Sequence, residues 1–199
     1  MNIEKSTFDA ASSLWRDWND KINVISRRDI DNLYEHHILH SLCIAEYMER
    51  FHPGGFDGAS VLDVGCGGGF PGIPLAMVNP KASFTLCDSI GKKIKVAESV
   101  AGALGLENVK CVNARAEGVE GRFDWIVSRA VTSLDKFYPW VRGRYRRGIL
   151  YLKGGDVNPE ISELICRCGV SPDAITLWPV SEWLEDEYFK EKFVIEIGK

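Results

Sequence analysis

The sequence lacks a long apolar run, an excess of positive charge and any C-x-x-C pair of cysteines. No apolar stretch approaches the roughly 20 residues that a membrane-spanning helix needs, and residues 1–11 are too polar for a signal peptide. Asp and Glu number 28 against 24 Lys and Arg, so the net charge of −4 does not supply the basic footprint typical of nucleic-acid binders. From these absences we expect a cytoplasmic protein that does not enter a membrane.

Metal ligands at a usable spacing are also lacking. The six cysteines are scattered through strand and helix patterns, so we expect reduced and mostly buried thiols. His36 and His40 lie four residues apart with His37 beside them, but no H-E-x-x-H motif and no third ligand accompany them. We therefore predict no metal site.

Glycine, by contrast, is concentrated in one informative segment. An apolar run over residues 59–64 predicts a buried strand that contains Asp63 near its end. The glycines that follow this run are Gly65, Gly67, Gly68, Gly69 and Gly72. Residues 71–78 then read as a helix, so the glycines occupy a strand-to-helix junction. Open α/β sheets bind nucleotide-like cofactors at such junctions, because glycine lets the backbone turn sharply and approach a ligand.

Two cofactors fit a glycine loop at this place. The spacing from Gly67 to Gly72 satisfies the dinucleotide fingerprint, but Asp63 would repel a pyrophosphate that lay over the turn. S-adenosyl-L-methionine (AdoMet) carries an ammonium and a sulfonium instead, and a nearby carboxylate attracts both charges. The residues favour AdoMet, and a glycine-rich turn without a ligand remains the alternative.

A second acid supports the same interpretation. Residues 83–87 read as the next strand, and Asp88 ends it at about the spacing from the glycines at which an acid reaches ribose hydroxyls. We expect Asp88 to accept hydrogen bonds from those hydroxyls. It could instead, or also, cap the helix that begins near Ile90.

Strands and helices alternate in the rest of the chain. The predicted strands are 60–64, 83–87, 109–113, 123–128, 147–152, 174–178 and 192–197. The predicted helices between them are 71–78, 91–105, 133–141 and 160–168. This order predicts an α/β fold with a doubly wound, mostly parallel sheet. Right-handed crossovers would place the carboxyl ends of strands one, two and four on one rim.

The N-terminal quarter has a different pattern. Residues 6–21 and 29–50 each read as one amphipathic helix, and a glycine- and proline-containing break follows at 52–58. We predict a helical N-terminal extension over residues 1–55 and a cofactor-binding domain over residues 56–199.

Several residues on the predicted rim are candidates for chemistry. Ala116 and Glu117 follow the third strand, where this fold commonly contacts an adenine. Arg129 follows the fourth strand, and its fixed charge suits a carboxylate or phosphate. Lys153 ends the fifth strand, and its charge could likewise bind a substrate phosphate. The alternatives to ligand binding are a surface ion pair for Arg129 and a flexible, exposed side chain for Lys153.

One segment does concentrate positive charge. It contains Arg142, Arg144, Arg146, Arg147 and Lys153. The cluster could form a basic face despite the acidic total, but by charge alone a solvated, arginine-rich turn is favoured.

Taken together, the motifs resemble the bacterial small-subunit rRNA methyltransferase G family, also called glucose-inhibited division protein B. The resemblance extends from about residue 18 to residue 154, and its most specific part is the run from Gly69 to Pro74. Other matching segments are Val61–Gly65, Asp88–Ser89, Lys92–Lys93, Arg115–Glu117, Ser128–Ala130 and Leu152–Gly154. One departure is His40, where the family usually has an acid before a Ser-Leu pair.

The resemblance implies a Rossmann-like AdoMet-dependent methyltransferase that forms 7-methylguanine in 16S rRNA, on the free RNA or in the small ribosomal subunit. The residues that would line its AdoMet pocket are Gly65, Phe70, Asp88, Ala116, Glu117 and Arg129. Guanine N7 carries a lone pair, so no general base is needed and we nominate no catalytic residue. Arg129 and Lys153 are candidates for positioning the substrate. We expect a monomer.

Other functions remain open at this point. The same cofactor could serve a small-molecule methyltransferase, which would need an enclosed acceptor pocket. A non-catalytic AdoMet- and RNA-binding ribosome-assembly factor would bind both ligands and transfer nothing. An NAD-dependent dehydrogenase is disfavoured by Asp63.

Overall fold

A single seven-stranded sheet organises the computed structural model, which describes residues 3–198 of the chain. The strands are β1 (Ser60–Val64), β2 (Ser83–Asp88), β3 (Val109–Asn113), β4 (Phe123–Arg129), β5 (Tyr145–Gly154), β6 (Ile175–Pro179) and β7 (Lys192–Gly198). Their order is β3-β2-β1-β4-β5-β7-β6, with β1 to β5 parallel and β7 antiparallel to both of its neighbours. The predicted doubly wound, mostly parallel sheet is confirmed.

Six α-helices flank the sheet. They are α1 (Asp9–Asn19), α2 (His40–Phe51), α3 (Gly72–Val78), α4 (Gly91–Ala103), α5 (Leu134–Val141) and α6 (Asn158–Cys168). Shorter 3₁₀ turns include Lys5–Phe8, Ile30–Asn32, Ala116–Gly118 and Glu187–Phe189. Every predicted strand and every predicted helix after residue 58 is present, with ends that differ by a few residues at most.

The two faces of the sheet bury different sets of helices. Along β4, Trp125 and Val127 face one hydrophobic cluster, which contains residues of α1, α2, α3 and α4. Ile126 faces a second cluster with α5 and α6. Successive side chains of a strand point to opposite faces, so the position of a residue along its strand determines which helices it meets.

The prediction of one continuous helix over residues 29–50 is wrong. A 3₁₀ turn at Ile30–Asn32 leads into a π-helical segment, Leu33–Leu39, and only then into α2. In this segment the Asp29 carboxylate accepts hydrogen bonds from His36 Nδ1 (2.6 Å) and His37 Nε2 (2.7 Å). The wider π-helical turn accompanies this contact of two neighbouring imidazoles with one carboxylate.

The N-terminal helix is anchored directly to the glycine loop. Trp15 is fully buried, and its indole N–H donates to the Gly68 carbonyl at 2.8 Å. The same indole packs on Phe70, with ring centroids 4.3 Å apart. The extension before residue 55 therefore shares one core with the sheet, and its division from the rest as a separate domain stays a prediction.

The sheet topology creates a crevice between β1 and β4. The chain leaves β1 toward β2 on one side, whereas β4 lies on the other side, so the strand order reverses at this point. Ligands of open α/β sheets bind outside the carboxyl ends of the strands at such a reversal. Among residues 3–198, no helix is long and apolar enough to span a membrane, and no group of three or more His, Cys, Asp or Glu side chains is placed to hold a metal ion.

We predict that Trp15→Phe destabilises the fold and loosens the glycine loop. The phenyl ring keeps the contact with Phe70 but leaves the Gly68 carbonyl without its donor, which costs about 1–3 kcal/mol of unfolding free energy. Urea denaturation measures this loss, and calorimetric titration should show weaker AdoMet binding. Trp18→Phe is the control, because half-buried Trp18 lies one turn along the same helix. Equal effects of the two changes would contradict the prediction.

Candidate active site

A cavity of about 470 Å³ lies at the carboxyl ends of β1, β2, β3 and β4. We call it the glycine-loop cavity. Its lining includes Val64, Gly65, Cys87, Asp88, Ser89, Ile90, Lys93, Ala114, Arg115, Ala116, Glu117, Arg129, Ala130, Val131 and Trp140. Five of the six predicted cofactor-binding residues are thus brought together, and the volume falls within the ~300–1,000 Å³ typical of small-ligand sites.

Gly65 gives the cavity its close backbone approach. Its φ is +72°, and a Cβ at this position would lie 2.4 Å from Cγ2 of Val131. Its N–H donates to the Cys87 carbonyl at 2.8 Å, which fixes the turn against β2. A side chain here would both strain the backbone and occupy the cavity wall.

Asp88 connects the glycine loop to helix α4. Oδ2 accepts from the Gly67 N–H at 3.0 Å, and Oδ1 accepts from the Ile90 N–H at 2.8 Å. Ile90 is the N-cap residue of α4, so Asp88 fixes the turn before the helix and does not itself cap it. Each carboxylate oxygen has a further lone pair, and Asp88 also lines the cavity, so acceptance of a ribose hydroxyl is compatible with both contacts.

Asp63 is not among the residues that line the glycine-loop cavity. The side chain is fully buried on the α3 face of β1, where Oδ2 accepts from the Gly72 N–H at 2.7 Å. Oδ1 has no hydrogen-bond partner in the described part of the chain. Burial raises the pKa of Asp63 to about 8, against the opposing effects of the Gly72 hydrogen bond and Arg129. The residue holds the start of α3 behind the loop and is not a lining residue.

The predicted adenine contacts lie on a short turn that an arginine supports. Ala116 and Glu117 belong to the 3₁₀ turn Ala116–Gly118, after β3. The Arg144 guanidinium donates to the backbone carbonyls of Glu117 and Val119. Another arginine of the same cluster, Arg146, lies near Asp124, with Nη1 and Oδ1 3.6 Å apart. Within this cluster, Arg144 thus supports a turn that lines the cavity, whereas Arg146 makes its contact near the amino end of β5.

Apolar side chains form walls that the sequence analysis missed. Among the described residues, four large apolar side chains are exposed, and two of them, Ile90 and Val131, line this cavity. The partly buried Trp140 of α5 lines it too. Exposed apolar groups gathered in one concave site suit the flat faces of a purine and a ribose. Their signal in the sequence was weak, because single apolar residues after a strand are common.

Arg129 is held by a chain of hydrogen bonds from the N-terminal segment. Its Nη2 donates to His37 Nδ1 at 2.9 Å, and Nε2 of the same imidazole contacts Asp29. Its Nη1 donates to the His36 carbonyl at 3.2 Å. Burial lowers the pKa of His37 to about 4, reinforced by the Arg129 charge and opposed by Asp29, so the ring is neutral and able to accept.

Phe70 supports this arginine and does not line the cavity. The Arg129 guanidinium lies 5.1 Å from the centre of the Phe70 ring, which is buried between Trp15 and His37. A cation over an aromatic face is stabilised by the ring quadrupole. Phe70 is not among the residues that line the glycine-loop cavity, and its contact with AdoMet stays a prediction.

Lys153 faces the opposite side of the sheet from Arg129. Its Nζ lies 2.8 Å from both carboxylate oxygens of Glu160 on α6, and its side chain is 12% exposed. Glu160 also accepts from the Leu134 N–H at 3.0 Å, which ties α5 to α6. Lys153 is thus ordered by an ion pair, unlike the flexible exposed side chain that was the alternative.

A second cavity, of about 330 Å³, adjoins the first. We call it the histidine cavity. Its principal lining residues are His37, His40, Arg129, Lys153, Tyr188 and Lys192. Arg129 and Ala130 line both cavities, and Ala130 is the one non-glycine among residues 3–198 with a positive φ, +48°. Strained backbone of this kind concentrates at functional sites.

Comparison with known proteins identifies the family. The GidB family model, described as rRNA small subunit methyltransferase G, matches residues 7–175. This chain belongs to the GidB family. The ribosomal RNA small subunit methyltransferase G of Flavobacterium johnsoniae is 48% identical over 204 residues, covering 98% of this chain and 91% of the relative. Its counterpart in Porphyromonas gingivalis is also 48% identical, covering 96% and 86%.

Solved structures agree on the fold. The magnesium protoporphyrin IX methyltransferase of Synechocystis PCC 6803, with bound SAM, has a TM-score of 0.68 at 14% identity and covers 95% of this chain and 97% of that protein. The T. thermophilus 16S rRNA N2 G1207 methyltransferase, in complex with AdoMet and guanosine, has a TM-score of 0.61 at 22% identity, covering 80% and 43%. As a GidB-family member, the chain is an AdoMet-dependent methyltransferase with the expected Rossmann-like fold.

We predict that Gly65→Ala weakens AdoMet binding in the folded GidB-family protein. The new Cβ meets Val131 at 2.4 Å and the left-handed backbone adds strain, so calorimetric titration should show affinity reduced at least about tenfold. Gly143→Ala is the matched control: φ there is +77°, and a Cβ would meet no described atom within 4 Å. Both variants carry the strain, and only the first should lose affinity for the cofactor.

A second prediction concerns pH. The pKa of Asp63 is raised to about 8 in the fold, whereas the unfolded chain has about 3.9, so the folded state binds the extra proton between these values. Its contribution is present at low pH and is lost as pH rises toward 8. Asp63→Asn keeps an oxygen for the Gly72 N–H without titrating.

The advantage in unfolding free energy of Asp63→Asn over wild type should therefore grow from pH 5 to 8, by up to about 1.4 kcal/mol per pH unit. Above pH 8 the difference should level off. Urea denaturation at several pH values measures it, and a constant difference across this range would show that Asp63 titrates normally.

Proposed function

We propose that this protein transfers the methyl group of AdoMet to N7 of a guanine in 16S rRNA. The observation that carries the proposal is a pair of adjoining cavities at the topological switch point of a GidB-family chain. One cavity has the glycine loop and acids suited to AdoMet, and the other has cationic and aromatic walls suited to a nucleotide. Arg129 and Ala130 form the boundary between them.

In this proposal the glycine-loop cavity holds AdoMet through residues with separate tasks. Asp88 accepts from the ribose hydroxyls, and the turn with Ala116 and Glu117 meets the adenine. Gly65 lets the ligand approach the backbone, and the exposed apolar groups Ile90 and Val131 cover the purine and ribose. When bound, AdoMet would supply an electrophilic methyl group: its S–CH₃ bond would break as the guanine N7 lone pair forms the new bond, which leaves neutral S-adenosylhomocysteine and a cationic guanine.

The reaction makes modest demands on acid–base chemistry. Guanine N7 has a free lone pair on the major-groove edge, so no proton leaves before or during methyl transfer. The protein gains rate by holding the base and the methyl group in line, after the base has been taken out of its stack. The rigidity of Arg129, with hydrogen bonds to two residues and an aromatic ring beneath it, suits this positioning role.

The charge distribution fits RNA at the rim in spite of the acidic total. Lys93, Arg115 and Arg129 line the glycine-loop cavity, and Lys153 and Lys192 line the histidine cavity. Such local positive charge attracts phosphates over a Debye length. An rRNA substrate places the protein with ribosomes in the cytoplasm, and we propose that it acts there as a monomer.

The proposal is tested by incubating the protein with methyl-labelled AdoMet and three substrates in separate reactions: deproteinised 16S rRNA, intact unmodified small subunits and tRNA. We expect label in an rRNA substrate, located at one 7-methylguanine by strand scission. Label in tRNA alone, or none at all with AdoMet binding confirmed, would instead favour a different substrate or a non-catalytic factor.

In the same assay Arg129→Ala should reduce kcat/KM by roughly tenfold to a thousandfold, because the positioning charge and its supports are lost together. Arg146→Ala is the control. It also removes an arginine of the chain, but at the amino end of β5 and with one long ion pair to Asp124, so it should leave methyl transfer nearly unchanged.

A further inference from the structure

The histidine cavity contains a polar atom that the fold leaves without a partner. Nε2 of His40 has no hydrogen-bond partner within residues 3–198, although the side chain is only 6% exposed. The His36 backbone raises the pKa of the His40 ring, as an acceptor of its N–H would, so we assign the proton to Nδ1 and the acceptor role to Nε2. Buried polar atoms without partners are rare and costly, so one on a cavity wall points to a ligand.

The surroundings of His40 keep this acceptor available. Burial holds the pKa of His40 well below its usual value, and the nearby charges of Arg129 and Lys192 act in the same direction. The ring is therefore neutral, and its lone pair remains free to accept a hydrogen bond. The neighbouring Arg129 and Lys192 side chains can only donate hydrogen bonds. His40 therefore supplies a hydrogen-bond acceptor beside these donors in the wall of the histidine cavity.

The remaining wall is rich in donors and aromatic surface. Arg129 uses two of its five N–H groups on His36 and His37, which leaves three. The Lys192 ammonium lies 4.6 Å from the centre of the Tyr188 ring, and that ring stacks on His36 at 3.7 Å. These groups suit a flat, polar ligand with several acceptors and a small number of donors.

We propose that the histidine cavity receives the target guanine and that Nε2 of His40 accepts a hydrogen bond from its N1–H and N2–H₂ edge, which makes His40 a specificity-determining residue. This inference rests on the proposed rRNA substrate and deepens it. Guanine places O6 and N7 acceptors on one edge and its donors on the other. The donor-rich wall meets O6, and His40 meets the donor edge.

Adenine and cytosine match this arrangement less well than guanine. Adenine presents an acceptor at N1, where guanine has N1–H, and a donor amine in place of O6, so both contacts become repulsive. Cytosine has the same mismatch at its amine.

The same contact of His40 should also increase the rate of methyl transfer. Methylation at N7 makes the guanine cationic, and a cationic base is a stronger hydrogen-bond donor at N1. The contact with His40 is therefore stronger for the charged ring than for the neutral one. Interactions that strengthen as charge develops raise the rate of the chemical step.

The main test is His40→Leu, with His40→Asp as the matched variant that keeps an acceptor. We expect His40→Leu to lower kcat/KM for methyl transfer into unmodified small subunits by about tenfold to a hundredfold. AdoMet affinity should be unchanged, and His40→Asp should retain most of the rate. Full activity in His40→Leu would overturn the proposal.

A thermal melt separates this role from a structural one. Leu removes an unpartnered buried nitrogen, and the His36 carbonyl keeps the donors Arg129 and Tyr188. His40→Leu should therefore melt no lower than wild type while losing activity. A residue kept only for packing would show the reverse, with a lower melting temperature and a proportionate loss of activity.

A binding experiment distinguishes failure of this inference from failure of the proposed function. Guanosine and adenosine 5′-monophosphates are titrated by NMR into protein saturated with S-adenosylhomocysteine. Wild type should prefer the guanosine nucleotide, and His40→Leu should lose that preference. If wild type shows the preference but methylates no rRNA, the base assignment stands and the proposed function fails. Equal binding of the two nucleotides by wild type, or an unchanged preference in His40→Leu, refutes the role of His40.

Discussion

The arrangement of this protein depends on holding the Arg129 charge at the end of β4 without exposing it fully to water. A partly buried guanidinium needs an aromatic surface, hydrogen-bond acceptors and a distant negative charge. Phe70 supplies the aromatic surface, and the His36 carbonyl and the neutral His37 ring are the acceptors. Asp29 supplies the negative charge. These groups come from two separate parts of the sequence. Their contacts with Arg129 therefore hold both the N-terminal segment and the glycine loop at the carboxyl end of β4.

That fastening explains why the two cavities share a rigid wall. Trp15 fixes the glycine loop from outside, and Asp63 fixes the start of α3 from beneath. The backbone at Ala130 is held in a left-handed conformation between the cavities by the Ala130 N–H bond to the Leu152 carbonyl. A methyltransferase gains from such stiffness, because transfer between two bound groups is sensitive to small displacements.

Much of the fold could be predicted because local patterns and topology agreed. The strands were recognisable as apolar runs, and their alternation with helices implied a parallel sheet and its reactive rim. Strand alternation could also have shown that Arg129 lies on the face of Trp125 and Val127, toward the N-terminal helices. The contact of Asp29 with His37 could not be predicted, because it depends on a π-helical segment that α-helical periodicity does not describe. The neighbours of Asp63 in sequence indicate a ligand, whereas its face of β1 turns the side chain toward α3, so its contact with AdoMet stays a prediction.

The second cavity has one further consequence, which concerns the order in which its parts are synthesised. Its wall combines His37 and His40 from the beginning of the chain with Tyr188 and Lys192 from near its end. No residue after Trp140 lines the glycine-loop cavity. A chain that ended before residue 188 would therefore contain every lining residue of the glycine-loop cavity but would lack Tyr188 and Lys192 of the histidine cavity.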